Sequence, residues 1–506
     1  MIIVWFKRDL RIADHAPFLN ACQDALAQGL SVMPLYVIEP ELWQQPDVSF
    51  RHWACVRSAL LDLEQALQPL GLPLIIRHGD VCHIFSQLKP KAIYCHEETG
   101  NNWTFQRDLN VIRWARSQSV ILREFPNSGI VRRLSSRDDW QKIHAARIHC
   151  PVLKAPKHAP AIPKHLDERW TSDPLPVQLP WQIRPANATI QPAGRSAALA
   201  TLDSFLMQRS AQYRRSLSTP FAAQQFNSRL SVAIAYGSLS IREIFAAIAN
   251  RIEQLDPAEP SSSRIKQGLQ AMSSRLYWRD HFIQKLESQP SLEFQCMHPA
   301  LESLRDPHQT RHLQAWVEGK TGYPIVDACI RCLQQTGWLN FRMRAMIVSF
   351  AAYDLWLDWR QIHPFLAGYF SDYEPGIHFS QLQMQSGVTG INALRMYNPL
   401  KQSYEKDPKG EFIRQYLPEL RHLDNDAIHE PWLHCDYQPP VVDHSAAISL
   451  ARQQFKAIRQ QSDFAELSKA VFVKHGSRKR SSSRRKTKNK TKAQSSSNDQ
   501  QLSLFD

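Results

Sequence analysis

Residues 338–359 read WLNFRMRAMIVSFAAYDLWLDW, and the stretch holds only four charged residues, Arg342, Arg344, Asp354 and Asp358. Read as a helix, it is apolar around most of its circumference, which places it at the centre of a helical domain rather than on a surface. The two arginines inside it are the informative residues. An unpaired buried charge costs several kcal/mol, so each needs an anion or a route to water. Two positions apart on a helix, they point about 200° away from each other and cannot share a partner. One internal salt bridge and one surface charge satisfy that geometry. So does an arrangement in which one arginine fixes an anionic cofactor and the other meets an anionic substrate.

Outward from this stretch, residues 200–470 continue in helical patterns with few β-rich runs. The beginning of the chain differs. IIVWF (2–6), SVMPLYVIEP (31–40), LPLIIRHGD (72–80), KAIYCHEE (91–98) and SVILREFP (119–126) read as buried strands, separated by amphipathic stretches such as RHWACVRSALLDLEQALQPLG (51–71). Nearly continuous apolar strands alternating with helices predict a doubly wound parallel sheet covered on both faces. No G-x-G-x-x-G loop follows the first strand, so a Rossmann dinucleotide site is not supported there. Nine prolines between 150 and 193 forbid long helices and predict a connector wrapping the surface. The expected organisation is an α/β domain at 1–135, a Pro-rich connector at 136–199, an all-α domain at 200–470, a disordered basic tail at 471–500 and a terminal peptide at 501–506.

Composition narrows the class. With 506 residues and 43% hydrophobic content, the chain suits two folded units. No run approaches the roughly 18 apolar residues of a membrane helix, and MIIVWFKRDLR places its apolar run before its charges, the reverse of a secretory signal. Nine irregularly spaced cysteines suggest no disulfide framework, so a reducing cytoplasm is expected. Cys329 and Cys332 form a C-x-x-C pair, either a redox or metal motif or two small residues on a buried helix. No second pair follows at zinc-like spacing, which favours the latter and no metal. The net charge is +14, yet Lys474–Asp506 carries ten Lys or Arg against two Asp, leaving +6 for the rest. Charge alone is therefore a weak argument for nucleic-acid binding by the folded body.

The motifs are more specific. HLQAWVEGKTGYPIVDACIRCLQQTGWLNFRMR (312–344), DLWLDWRQ (354–361), RMYNPLKQS (395–403) and GEFIRQYLPEL (410–420) together resemble the FAD domain of photolyases and cryptochromes, and VWFKRDLRIADHAPF (4–18) resembles their α/β antenna domain. The resemblance implies a helical domain holding FAD in a bent conformation beneath an opening that admits a damaged pyrimidine pair. It implies diphosphate-binding positions at Tyr213 and at Asn227, Ser228, Arg229, Leu230 and Ser231, with a further phosphate contact at Arg279. Arg344 and Asp372 match the pair beside the flavin ring, Glu374 stands where the family often has Asp, and Phe341 where an asparagine is common. Trp278 matches the tryptophan that packs against the lesion, and Arg342 a contact near DNA. A second antenna chromophore of folate or deazaflavin type is implied without its identity, and a monomer is expected.

The pattern is departed from in three places, at Phe341 and in two further ones. Arg275 replaces the glutamate that hydrogen-bonds the dimer in repair-active relatives; an arginine can meet a DNA phosphate or a dimer radical anion but offers no carboxyl group. In SDYEPGIHFSQLQMQSGVTGIN (371–392), Ser380 and Leu382 are the candidates for the flavin-proximal tryptophan of the electron relay, and neither is aromatic. Trp359 matches the middle relay member, with Trp338, Tyr353 and Trp356 nearby in sequence, and His378 falls in the same region. Three readings stay open: a pyrimidine-dimer photolyase, which is the leading one, a cryptochrome-type receptor without repair, and a redox-sensing DNA-binding flavoprotein. Finally, QLSLFD (501–506) resembles the peptide by which bacterial repair proteins dock on the sliding clamp, with Gln501, Leu502, Ser503, Leu504 and Phe505 matching each position. Leu504 and Phe505 would fill an apolar pocket.

Overall fold

The computed structural model describes residues 1–160 and 170–478; the basic run from 479 and the peptide 501–506 lie outside the described residues. Five parallel strands, β1 (Ile2–Phe6), β2 (Val32–Ile38), β3 (Ile75–His78), β4 (Ala92–His96) and β5 (Ile121–Phe125), form one sheet in the order β3-β2-β1-β4-β5. Alternation along β1 shows why helices cover both faces. Ile2, Val4 and Phe6 pack in one core with Phe18 and Leu60, whereas Ile3 and Trp5 pack in another with Ile84, Phe85 and Val111. The expected doubly wound sheet is present, with one difference. β5 is an edge strand with Ile121 exposed, because only β4 pairs with it.

Strand order reverses between β1 and β4, so their carboxyl ends open the crevice where such sheets bind ligands. Here Asp9 accepts from His15 Nε2 at 2.9 Å and from His96 Nδ1 at 2.7 Å, tying the two strand ends together. Arg8 reaches out of the crevice into the helical domain. It donates to the carbonyls of Ala235 and Tyr373, both at 2.9 Å, and lies 3.3 Å from Glu374.

The connector follows the surface by backbone pairing. Val32 N–H donates to Pro160 O at 3.1 Å and Asp173 N–H to Ile76 O at 2.8 Å, which covers the β3 side of the sheet. It is less irregular than expected, since a helix spans Trp140–Ile148 and the helix Arg195–Ser204 begins before 200. The boundary at 470 also falls inside a helix, Phe464–His475, which continues because Phe464, Val471 and His475 are buried.

The opening stretch is not one helix. Phe341–Ser349 is helical and continues as a π-helical turn at Phe350–Asp354; the chain then breaks, with Trp356 at φ 56°, before a new helix Trp359–Tyr369. Asp358 causes the restart: its carboxylate accepts from Arg360 N–H at 2.9 Å and its own N–H is capped by Gln361. Cys329 and Cys332 are buried free thiols on the helix Pro324–Thr336, and burial raises both, Cys332 to about 11. Among the described residues no helix is long and apolar enough to cross a membrane.

Candidate functional site

Three helices turn one face each towards a common cavity of about 310 Å³. The helix Ser262–Ser288 contributes Arg275, Trp278, Arg279 and Phe282; Phe341–Ser349 contributes Phe341, Arg344, Ala345 and Val348; Pro375–Gln385 contributes Ile377, His378, Gln381, Leu382 and Gln385, with its cap Glu374. Each set has the three- and four-residue spacing of a single helix stripe. Tyr213, Asn227, Ser228, Arg229, Ser231 and Asp372 complete the wall.

Arg344 and Asp372 form a two-pronged pair, Nη1 to Oδ1 at 3.0 Å and Nη2 to Oδ2 at 2.9 Å, while Arg344 Nε donates to Leu339 O at 2.8 Å. Burial alone would raise the Asp372 carboxyl, but the Arg344 guanidinium and the Ser231 hydroxyl hold it below the ordinary value. Arg279 donates to Asp280 at 2.8 Å and to Glu374 at 3.4 Å. Glu374 is thereby held between Arg8 and Arg279, which links the sheet to the cavity. Arg229, at φ 57°, lies over the Trp338 ring at 4.1 Å, and burial lowers its guanidinium to about 10. Arg275 pairs with the Tyr213 hydroxyl. Trp278 is 3% exposed and packs with Phe282, Ile377 and Met384.

Buried polar atoms without a partner gather on this wall: Asn227 Oδ1, Asn340 Oδ1, Glu374 Oε1 and Gln385 Oε1. Such atoms are costly unless a ligand satisfies them. Acceptors, cations and an apolar surface from Val348, Leu366 and Phe370 suit a large cofactor with hydroxyl, amide and phosphate groups. Asn340 and Gln385 are absent from the sequence expectations, although Asn340 stands at the N-terminal cap position of the Phe341–Ser349 helix, its Oδ1 left idle, and Gln385 lies eleven residues after Glu374 on the same stripe.

Three expected residues lie off the wall. Leu230 is buried in a neighbouring apolar core beside Tyr213. Arg342 sits over the Tyr397 ring at 5.5 Å, on the side of its helix away from Arg344, as the 200° geometry requires. Trp359 is fully buried, with Nε1–H donating to Cys296 Sγ at 3.4 Å and its ring 6.3 Å from Phe379. Phe379 adjoins His378 at 5.5 Å, and His378 is on the wall. Leu382 also faces the cavity, whereas Ser380 is turned away to donate to Phe282 O at 3.0 Å. A second cavity, of about 80 Å³, opens at the carboxyl ends of β1, β2 and β4, lined by Trp43, Asp47, His52, Glu98 and Tyr373 among others.

A doubly wound parallel domain joined to a helical domain with this cation- and amide-lined cavity defines a two-domain architecture suited to a large anionic cofactor. The comparisons agree: the FAD binding domain of DNA photolyase matches residues 272–457, and DNA photolyase matches residues 2–162. The chain belongs to the photolyase/cryptochrome family. It is 30% identical to a deoxyribodipyrimidine photo-lyase of Salmonella typhimurium and 29% identical to that of Escherichia coli, each match covering 90% of this chain and 99% of the relative. The crystal structure of a bacterial class III photolyase from Agrobacterium tumefaciens superposes with a TM-score of 0.77 at 23% identity, covering 91% of this chain and 98% of that one.

Proposed function

We propose that this protein repairs DNA in light, splitting UV-induced pyrimidine dimers with FAD as the electron donor. The observation that carries the reading is that one helix stripe, Arg275, Trp278 and Arg279, lines the same cavity as the Arg344–Asp372 pair. Groups suited to a lesion and groups suited to a flavin thus share one space. When bound, reduced FAD would supply the one-electron chemistry of dimer splitting. The chain's part is position and electrostatics. Arg344 and Asp372 present a fixed cation and carboxylate, Asn227, Asn340, Glu374 and Gln385 offer hydrogen bonds, and the apolar wall excludes water. Illuminating the FAD-loaded, reduced protein with a dimer-containing oligonucleotide should restore free pyrimidines, resolved by chromatography, and dark controls should not. Dimers left intact in light would end this reading.

A cryptochrome-type receptor that binds FAD without repair is the second reading, favoured by Arg275, which lacks a carboxyl group, and by aliphatic Leu382 on the wall. A light-induced conformational change without dimer splitting selects it. The route of flavin reduction is proposed to run through Trp359 by way of Phe379 and His378, the ring line that ends on the cavity. Trp359→Phe should abolish blue-light reduction followed at the flavin absorbance bands while leaving FAD content unchanged; undiminished photoreduction would discard the route. The crevice at the strand ends is the proposed place of a folate- or deazaflavin-type antenna, where doubly wound sheets take ligands.

Cytoplasmic action on DNA is proposed to be assisted by Gln501, Leu502, Ser503, Leu504 and Phe505 docking on a bacterial sliding clamp. The support is the sequence of that peptide and the basic run before it, whose binding to phosphates should weaken steeply with salt. A peptide of residues 496–506 should bind purified clamp, and the Leu504→Ala, Phe505→Ala pair should remove binding. Equal affinity of the double variant would refute the docking.

A further inference from the structure

We propose that Arg137, His281, Lys285 and His475 form a buried site for a small tetrahedral oxyanion of the phosphate or sulfate class, separate from the flavin cavity. The four come from three elements. Arg137 precedes the Trp140–Ile148 helix, His281 and Lys285 are one turn apart on Ser262–Ser288, and His475 ends Phe464–His475. Their exposures are 8%, 1%, 2% and 1%. Arg137 Nη2 donates to His281 Nδ1 at 2.5 Å, which leaves His281 Nε2–H as a donor, and His475 Nε2 contacts Gln289 Oε1 at 2.8 Å. Arg137 Nη1, His281 Nε2 and His475 Nδ1 are buried with no partner among the described residues.

The chemistry follows from what these groups cannot do. A guanidinium does not give up its proton in a protein, so the cluster always holds at least one positive charge. No carboxylate among the described residues forms an ion pair with any of the four. The Trp140 ring, 4.3 Å from the Arg137 guanidinium, compensates in part. Burial and the neighbouring Arg137 push Lys285 down to about 7, and burial with Lys285 and Arg137 pushes His281 well below its ordinary value. An anion in their midst removes that conflict and gives Arg137 Nη1 and His281 Nε2–H an acceptor; His475, whose Nε2–H is spent on Gln289, joins them through Nδ1 on taking up a proton, which the anion favours. A tetrahedral oxyanion has enough acceptors for all four groups. Their burial favours a small free ion over a phosphodiester, whose chain would have to enter with it. His475 meets Gln289 at the end of Ser262–Ser288, and the His281 ring lies 5.1 Å from Trp278, so the site joins the Phe464–His475 helix to the helix that carries Trp278.

Calorimetric titration of the full-length, FAD-loaded protein with inorganic phosphate, at constant ionic strength in chloride, tests the site. A saturable heat and a rise in Tm that follows ligand mass action are expected. Lys285→Met and Arg137→Gln should each weaken phosphate binding by roughly tenfold or more. A parallel titration with a dimer-free oligonucleotide separates the sources. No saturable phosphate binding, binding unaltered in both variants, or a competition in which oligonucleotide but not phosphate protects the cluster would overturn the proposal. Should the variants fail to fold, selenate soaked into crystals of the wild-type protein decides: an anomalous peak among the four side chains supports the site, and its absence overturns it.

Discussion

Asp372→Asn is expected to yield a protein that folds with reduced stability and purifies largely without flavin. The substitution keeps the shape of the side chain but replaces a two-acceptor carboxylate by one acceptor and one donor. One prong of the Arg344 pair then becomes a donor facing a donor, and the guanidinium loses its compensating charge. Breaking a buried pair costs roughly 3–5 kcal/mol; about 3 kcal/mol is expected here, because Arg344 keeps 26% of its side chain exposed. FAD affinity should fall by roughly tenfold or more as the wall it leans on loses its fixed charge. The ratio of flavin to protein absorbance and the melting temperature measure both effects. The pH dependence has a definite sign. Because the folded Asp372 carboxyl lies below its unfolded value, its contribution is complete above the unfolded value and is lost as pH falls through the folded one. The variant should lack that part of the acid response. A fully flavinated variant with unchanged melting would show that the pair does not hold the cofactor.

Which parts of this architecture were legible from residues depends on whether the signal was local. β1 and β2 are readable because a strand buried on both faces must be apolar at every position, and IIVWF satisfies that without reference to the rest of the chain. β5 looks the same in sequence, but its edge position is decided by strand order, which periodicity does not contain. The break at Leu355–Asp358 was missed for a related reason. Hydrophobicity runs unbroken through the stretch, and the cap at Asp358 is a single residue whose effect outweighs the pattern. At the site, the opposition of Arg342 and Arg344 follows from helix geometry alone. That Arg344 is the inward one depends on Asp372, 28 residues later, and only the resemblance linked them. The idle atoms of Asn340 and Gln385 had no sequence signal beyond their stripe. Which of Ser380 and Leu382 faces the cavity is likewise a matter of helix side that periodicity alone does not give, and Leu382 is the one turned towards it.

Trp278→Phe separates the two roles that burial leaves to this tryptophan. If Trp278 serves only to pack Phe282, Ile377 and Met384, the smaller ring leaves a small gap and costs about 1–2 kcal/mol in stability, with oligonucleotide affinity unaltered. If the indole is also the surface on which a lesion base stacks, part of the roughly 1–3 kcal/mol of base–aromatic stacking is lost. The expected result is the second: affinity for a dimer-containing oligonucleotide lowered by roughly tenfold, affinity for the undamaged strand barely changed, and a modest fall in melting temperature. The distinction is sharp because non-specific DNA binding rests on phosphates and salt, which Trp278 cannot sense. Fluorescence anisotropy with both oligonucleotides at one salt concentration provides the measurement. The same protein, loaded with FAD to the wild-type level, keeps a loss of flavin from passing as a loss of lesion recognition. Unaltered affinity for both strands, or equal weakening towards both, would leave Trp278 a packing residue with no part in lesion recognition.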